Sequence, residues 1–272
     1  MAARTGGAPD GTLPVGFWGP PTGHPDWCEP NYQVTHYIAE FWNTMSSVPL
    51  IIFGLLGAVY AVRDGLEKRF VVSYLAIATI GCGSCAFHGS LLYTGQVMDE
   101  LPMIYGVLCF LYALATKERE HRVRNAVGLL AYASVATTLY FTFGFECFLV
   151  MYISSVLLLC RLSYVANYPS DGSDKKGLLH NDKKEALFTM AACVYIGGFV
   201  MLWIPEQILC DTNTTVKHLY LHAWFHLTST FGPISWTAFA VCNRCQELKS
   251  TFTVTHLPVT MMPYVRLKTA QV

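Results

Sequence analysis

Three histidines in this chain sit inside long apolar runs, where a polar side chain is costly and marks a functional site by default. His88 lies in residues 81–102, GCGSCAFHGSLLYTGQVMDELP, together with Ser84, Asp99 and Glu100. His222 and His226 lie in residues 221–227, LHAWFHL. Their i, i+4 spacing lets both imidazoles point the same way from one helix. Three neutral imidazoles can hold zinc at three corners of a tetrahedron and leave the fourth for water. Bound water then loses its proton near neutral pH, and the metal can polarise a carbonyl. Asp99 is the candidate general base for that water. Ser84, one turn before His88, is placed to donate to a developing oxyanion. As a nucleophile Ser84 lacks an activating histidine once all three bind metal. Asp99 also has a plainer reading, a helix-start acid favoured by the dipole; Glu100 suits that role better. Of the other six histidines, His24, His121, His180 and His256 fall in tails or loops and read as solvated. His36 and His218 lie near helix ends and carry no assignment.

Only 13% of the 272 residues are charged and 53% are hydrophobic, against about 25% charged in a soluble domain. The apolar residues gather into runs of about 20, the length that crosses a hydrocarbon core. Seven such segments are expected, at roughly 41–62, 70–93, 97–116, 123–142, 145–165, 185–205 and 219–242. The fold class is therefore all-α: a seven-transmembrane-helix bundle with an intramembrane zinc site. Residues 1–25 read as a disordered tail rich in Gly and Pro. Residues 26–245 form the membrane domain, and 246–272 a cytosolic tail. The first 40 residues hold no apolar segment of signal-peptide type. Net charge is zero, so there is no signal for nucleic acid, and nothing points to an obligate protein partner.

Basic residues orient the bundle. With the N-terminus outside, the cytosolic segments receive 16 of the 18 Lys and Arg residues, and only Arg4 and Lys217 fall outside. This predicts a lumenal N-terminus and a cytosolic C-terminus. His88, Asp99, His222 and His226 then share the lumenal half of the membrane. Cys28 and Cys210 both fall in lumenal segments, where a disulfide is permitted. Cys82 and Cys85 have zinc-like spacing but no second pair, so small apolar filler is the favoured reading. Asn213-Thr214-Thr215 is a glycosylation sequon close to the membrane. Asp26, Glu29, Asn31 and Glu40 place four side-chain oxygen donors within 15 residues. Such donors suit calcium, but the spacing is not that of an EF-hand loop, and a solvated acidic segment is favoured on pattern alone.

The motifs DWCEPNY, IAEFWNT, RDGLEKR, GCGSCAFHGS, MDELPMIY and LHAWFH resemble those of alkaline ceramidases, most closely the type 3 branch. The resemblance covers about residues 18 to 245. It implies a seven-helix amidase that hydrolyses ceramide, a membrane lipid, to sphingosine and a fatty acid. It implies zinc at His88, His222 and His226, Asp99 as the acid–base residue and Ser84 in support. It implies a calcium site from Asp26, the Trp27 carbonyl, Glu29, Asn31 and Glu40, reversing the reading from pattern alone. It pairs Cys28 with Cys210, and implies residence in the endoplasmic reticulum, the Golgi or the cell surface. The chain departs from the family pattern at Pro30, Phe225, Pro233 and the WIPEQ of residues 203–207, which leaves acyl-chain preference open. Two other classes fit less well. A receptor of the progestin and adiponectin receptor type shares the helix count and zinc ligands, but the acidic segment and the expected orientation favour an amidase. A transporter often shows internal repeats, and none is found here.

Overall fold

The computed structural model of the protein describes residues 15–25, 27–116, 121–168, 182–210, 212, 214–258 and 260–267. Five long helices come first: α1 (Phe41–Arg63), α2 (Lys68–Ser90), α3 (Tyr93–Ala115), α4 (His121–Phe143) and α5 (Phe145–Asn167). Helix α6 (Asp182–Gly198) runs through a π-helical turn (Phe199–Trp203) into α7 (Ile204–Leu209). The short α8 (Thr214–Lys217) leads to α9 (Leu221–Glu247).

Six spans, α1 to α5 and the composite Asp182–Leu209, are long and apolar enough to cross a membrane. Their outer faces agree. Ile52, Leu55, Val59 and Val62 recur at helical spacing on α1 and are exposed, as are Val123, Val127 and Leu130 on α4. A water-soluble surface rarely carries such contiguous apolar stripes, whereas hydrocarbon accommodates them. The chain is a membrane protein, and its described residues are mostly helical. Helix α9, expected as the seventh span, does not belong to these six. It carries polar residues along its length, including His222, His226, Thr230, Ser235 and Thr237, all buried. It packs against α1, α2, α3 and α6. A helix screened from lipid by its neighbours need not be uniformly apolar.

Helices α2 and α3 are joined by two residues only. Leu91, in the left-handed region at φ 53°, ends α2, and its N–H donates to the Phe87 carbonyl. This sharp reversal puts the end of α2 beside the start of α3, and so His88 near Asp99. The two backbones meet at Gly83, where an added Cβ would collide with the Met98 carbonyl. Gly83→Ala is therefore expected to push α3 off α2. The cost is about 1–3 kcal/mol by overpacking, read as a lowered melting temperature in detergent. An unchanged melting curve would show that the helices separate freely there. Helix α3 also begins earlier than the expected 97, at Tyr93, so no acid lies in its first turn. Dipole stabilisation fades beyond that turn, so the helix-start explanation for Asp99 and Glu100 is withdrawn.

Of the tail expected over residues 1–25, residues 1–14 lie outside the described residues. Residues 15–25 pack on the bundle. The Thr22 and Gly23 N–H groups donate to the Leu91 carbonyl, and the His24 N–H donates to Gln96 Oε1 at 2.9 Å. The chain then returns over α2, with the Ala39 and Glu40 N–H groups donating to the Gly89 and His88 carbonyls. A disulfide joins Cys28 to Cys210, with Cα atoms 5.6 Å apart. It fastens this N-terminal cap to the end of α7.

The opposite end is closed differently. Within residues 246–267 the chain forms an antiparallel hairpin, β1 (Phe252–His256) and β2 (Pro263–Leu267), with Val254 opposite Val265. This is the one departure from an all-α fold among the described residues. Leu257, Met262, Tyr264 and Val265 are buried, and the Tyr264 hydroxyl donates to Asp64 Oδ2 at 3.2 Å in the α1–α2 loop. Alongside, Glu67 accepts from Arg244 and from Arg69, each at 2.7 Å.

Candidate functional site

His88, His222 and His226 come together at the capped end. All three are buried, and one ring nitrogen from each lies within 4.8 Å of the others. The i, i+4 pair supplies two corners from α9, and α2 supplies the third.

What surrounds the rings decides which nitrogens face one another. His88 Nδ1 lies 2.5 Å from Glu40 Oε2, and its Nε2 is buried with no protein hydrogen-bond partner. His226 Nδ1 meets Ser46 Oγ at 2.9 Å, and Ser47 Oγ and the Asn43 carbonyl at 3.0 Å. His222 Nδ1 lies 3.4 Å from Glu206 Oε2, and its ring stacks on Trp27 at 3.7 Å between centroids. His88 and His226 are thus held from outside at Nδ1, and His88 Nε2 is left for the centre; His222 Nδ1 is only approached by Glu206 and makes no hydrogen bond there. Metal-ligating histidines are oriented in this way by outer carboxylates and carbonyls. The donor set fits a divalent cation that accepts imidazole nitrogen, with a position left over.

Asp99 and Ser84 line the same cavity as His222 and His226. Asp99 interacts electrostatically with His88. Ser84 Oγ lies 2.8 Å from Ser47 Oγ. Ser47 already donates to the Asn43 carbonyl at 2.8 Å, so Ser84 is the donor between the two hydroxyls. To serve an oxyanion, Ser84 must turn that proton into the cavity. Trp27 Nε1 and Ser229 Oγ line the cavity too, buried without a hydrogen-bond partner. Glu100 is pinned from Gln96 Nε2 at 2.9 Å, and Gln96 is the residue that holds His24, so Glu100 ties the cap to α3.

The acidic segment folds against this centre. Glu29 accepts from the Trp42 and Asn43 N–H groups at 2.7 and 2.8 Å, capping the start of α1. Glu40 accepts from the Trp27 N–H at 3.3 Å and from Asn43 Nδ2 at 3.0 Å. Burial, with a smaller contribution from the Glu40 charge and against the Trp42 and Asn43 N–H donors, raises the Glu29 carboxyl to about 7. Burial likewise pushes Glu40 up to about 8, with the Glu206 charge adding to it. Buried, mutually repelling carboxylates with spare lone pairs fit a cation that restores their ionised form. Asn31 is buried in the same segment. Asp26 and Asn213 lie outside the described residues.

Glu206 and the serines of α1 are not singled out by sequence. Glu206 lies one turn before Cys210, on the face that meets the N-terminal cap. Its Oε1 accepts the Cys28 N–H at 3.0 Å while Oε2 approaches His222. The expected Cys28–Cys210 pairing was a usable signal, since an acid four residues before a cap-bound cysteine points at the cap. Removing the carboxylate charge with Glu206→Gln should weaken metal retention about 10- to 100-fold, the usual scale for such partners. Competition with a graded chelator measures this, and retention equal to the parent chain would reduce Glu206 to a structural acid.

A family profile described as ceramidase matches residues 19–266. The chain is 34% identical over 250 residues to alkaline ceramidase 3 of Mus musculus, covering 86% of this chain and 88% of that protein. It is 29% identical to an alkaline ceramidase of Arabidopsis thaliana, covering 93% and 95%. It is 26% identical to an alkaline ceramidase of Saccharomyces cerevisiae, covering 82% and 77%.

Proposed function

The chain belongs to the ceramidase family, and from that premise we propose that it is a zinc-dependent amidase that hydrolyses ceramide to sphingosine and a free fatty acid within the membrane. The observation that carries the zinc reading is the convergence of buried His88, His222 and His226, with His88 and His226 held from outside at Nδ1. The competing receptor reading requires ligand binding without turnover.

Zinc at the three imidazoles would supply Lewis acidity to the amide carbonyl and a lowered pKa to bound water. Asp99 takes a proton from the attacking water. It returns that proton to the amide nitrogen as the C–N bond breaks, so the amine leaves neutral. Ser84 donates to the carbonyl oxygen as negative charge develops there, giving up its bond to Ser47. Trp27 Nε1 and Ser229 Oγ are open to the hydroxyls of the sphingoid head. The cavity is only about 100 Å³, enough for the amide and its neighbours. The two hydrocarbon chains therefore extend between helices or against the bilayer.

Calcium is the cation proposed for Asp26, Trp27, Glu29, Asn31 and Glu40. Glu40 touches both sets, since it reaches His88 from the acidic cluster. In this reading calcium and the disulfide shape the cap over the active site. Helix α9 counts as the seventh span, with the N-terminus lumenal and the C-terminus cytosolic in the endoplasmic reticulum or Golgi. The histidines lie toward the starts of α9 and the end of α2, whereas Arg63, Arg69 and Arg244 lie at the other ends of α1, α2 and α9. That separation supports the orientation.

The test is purification of the full chain, metal analysis, and fatty-acid release from a panel of ceramides. Bound zinc in about one equivalent with turnover supports the proposal. Turnover undiminished after zinc is stripped would overturn the metal reading, and specific ceramide binding without release would favour a receptor.

A further inference from the structure

A second cavity among the described residues is larger than the one lined by the histidines. It is a groove of about 740 Å³ between α2, α3 and α4, and it shares no lining residue with the histidine cavity. We propose that this groove binds an anionic glycerophospholipid, its acyl chain laid between α3 and α4 and its phosphate at Lys68 and Arg122. The proposal does not depend on the ceramidase reaction.

Length is the first argument. On α3 the lining runs from Thr116 back to Tyr105, and on α4 from Arg122 to Ala133. Eleven residues of helix rise about 16 Å. Half of a hydrocarbon core of about 30 Å is close to that, so the groove is as deep as one leaflet. Leu108, Cys109, Leu129 and Leu130 make its walls apolar. Helix α4 buries little of itself, and Ala136 and Tyr140 are its only residues recorded as buried. A filled groove would complete its packing.

Charge is the second argument. Glu67, Lys68, Arg69 and Arg122 stand at the open end, at the terminal turns of their helices. Arg69 is committed elsewhere through its terminal nitrogens: they donate to Glu67 and to the Ala113 and Thr116 carbonyls. Glu67 is neutralised by Arg69 and Arg244. Lys68 and Arg122 are exposed and form no ion pair among the described residues. Two uncommitted cations at the mouth of an apolar, leaflet-deep groove suit a lipid phosphate with net negative charge. A zwitterionic lipid would leave that charge unmatched.

Native mass spectrometry of the full chain in detergent tests this, with phosphatidylserine, phosphatidylcholine and inorganic phosphate as probes. The parent chain should retain phosphatidylserine over phosphatidylcholine and should not retain phosphate alone. The double variant Lys68→Ala/Arg122→Ala should weaken phosphatidylserine retention on the order of tenfold. Ala126→Trp, which fills the groove without altering its charge, should abolish retention of that lipid. Both cations are exposed, so the double variant decides the matter even if Ala126→Trp misfolds. Equal retention of the two lipids, capture of phosphate alone, or undiminished phosphatidylserine in the double variant would overturn the proposal.

Discussion

His222→Ala is expected to remove bound zinc and ceramide hydrolysis together while the bundle stays folded. A metal at the three imidazoles would supply several kcal/mol of charge stabilisation, and each 1.36 kcal/mol is tenfold in rate. A loss on the order of 10³-fold or more follows. His222 is the informative one of the three imidazoles because its surroundings are asymmetric. It stacks on Trp27 and faces Glu206, both parts of the cap, whereas His226 is wired into α1 through Ser46, Ser47 and Asn43. Losing His222 therefore opens the cap side of the centre and leaves the α1–α9 contact intact. Metal analysis and fatty-acid release on one preparation make the comparison, with the melting curve as the control for folding. Turnover that persists after zinc is gone would separate the histidines from the chemistry.

The elements that carry this site were legible for a simple reason. Hydrocarbon demands long apolar runs, so a histidine inside one stands out, and i, i+4 spacing needs only helix geometry. Helix α9 reads as a span in sequence, yet it is not among the six helices long and apolar enough to cross a membrane, because neighbours that sequence does not display shield it from lipid. The start of α3 was set four residues late, since Tyr93 to Gln96 reads as a polar turn. That displacement supported a dipole explanation for Asp99 which the observed helix removes. The C-terminal hairpin was missed because its strands are five residues each, too short for alternation to rise above noise, and its burial comes from docking at the α1–α2 loop. Glu206 was missed because a lone acid near a helix end looks ordinary until the disulfide brings Cys28 onto it.

The acidic cap shows how one residue serves several ends. Glu40 is at once a neighbour of Glu29, an acceptor for Trp27 and the outer partner of His88. Trp27 in turn carries the stacking face for His222. A change at the acidic cluster is therefore transmitted to two of the three imidazoles through one hydrogen bond and one ring contact. The Cys28–Cys210 bond holds the same segment against α7, where Glu206 sits. Cap, disulfide and histidines form one connected structure, so the acidic segment is more than a solvated patch beside the site.

Asp99→Asn should leave zinc in place and lower kcat by about 10²- to 10⁴-fold, the range general acid–base catalysis supplies, with a much smaller change in KM. Asparagine keeps the size of the side chain and removes only its basicity, so the α2–α3 contact at Gly83 is preserved. The two alternative roles for Asp99 give different signatures. A structural acid would lower the melting temperature and leave kcat close to that of the parent chain. A fourth metal ligand would lose zinc along with activity. Proton transfer alone predicts a folded, zinc-loaded protein that still binds ceramide and turns it over slowly. Asp99 shares the cavity with His222 and His226 and acts electrostatically on His88, yet it stands outside the three-residue metal group of the described chain. A proton carrier would need that arrangement: a place in the same cavity without being consumed as a metal ligand.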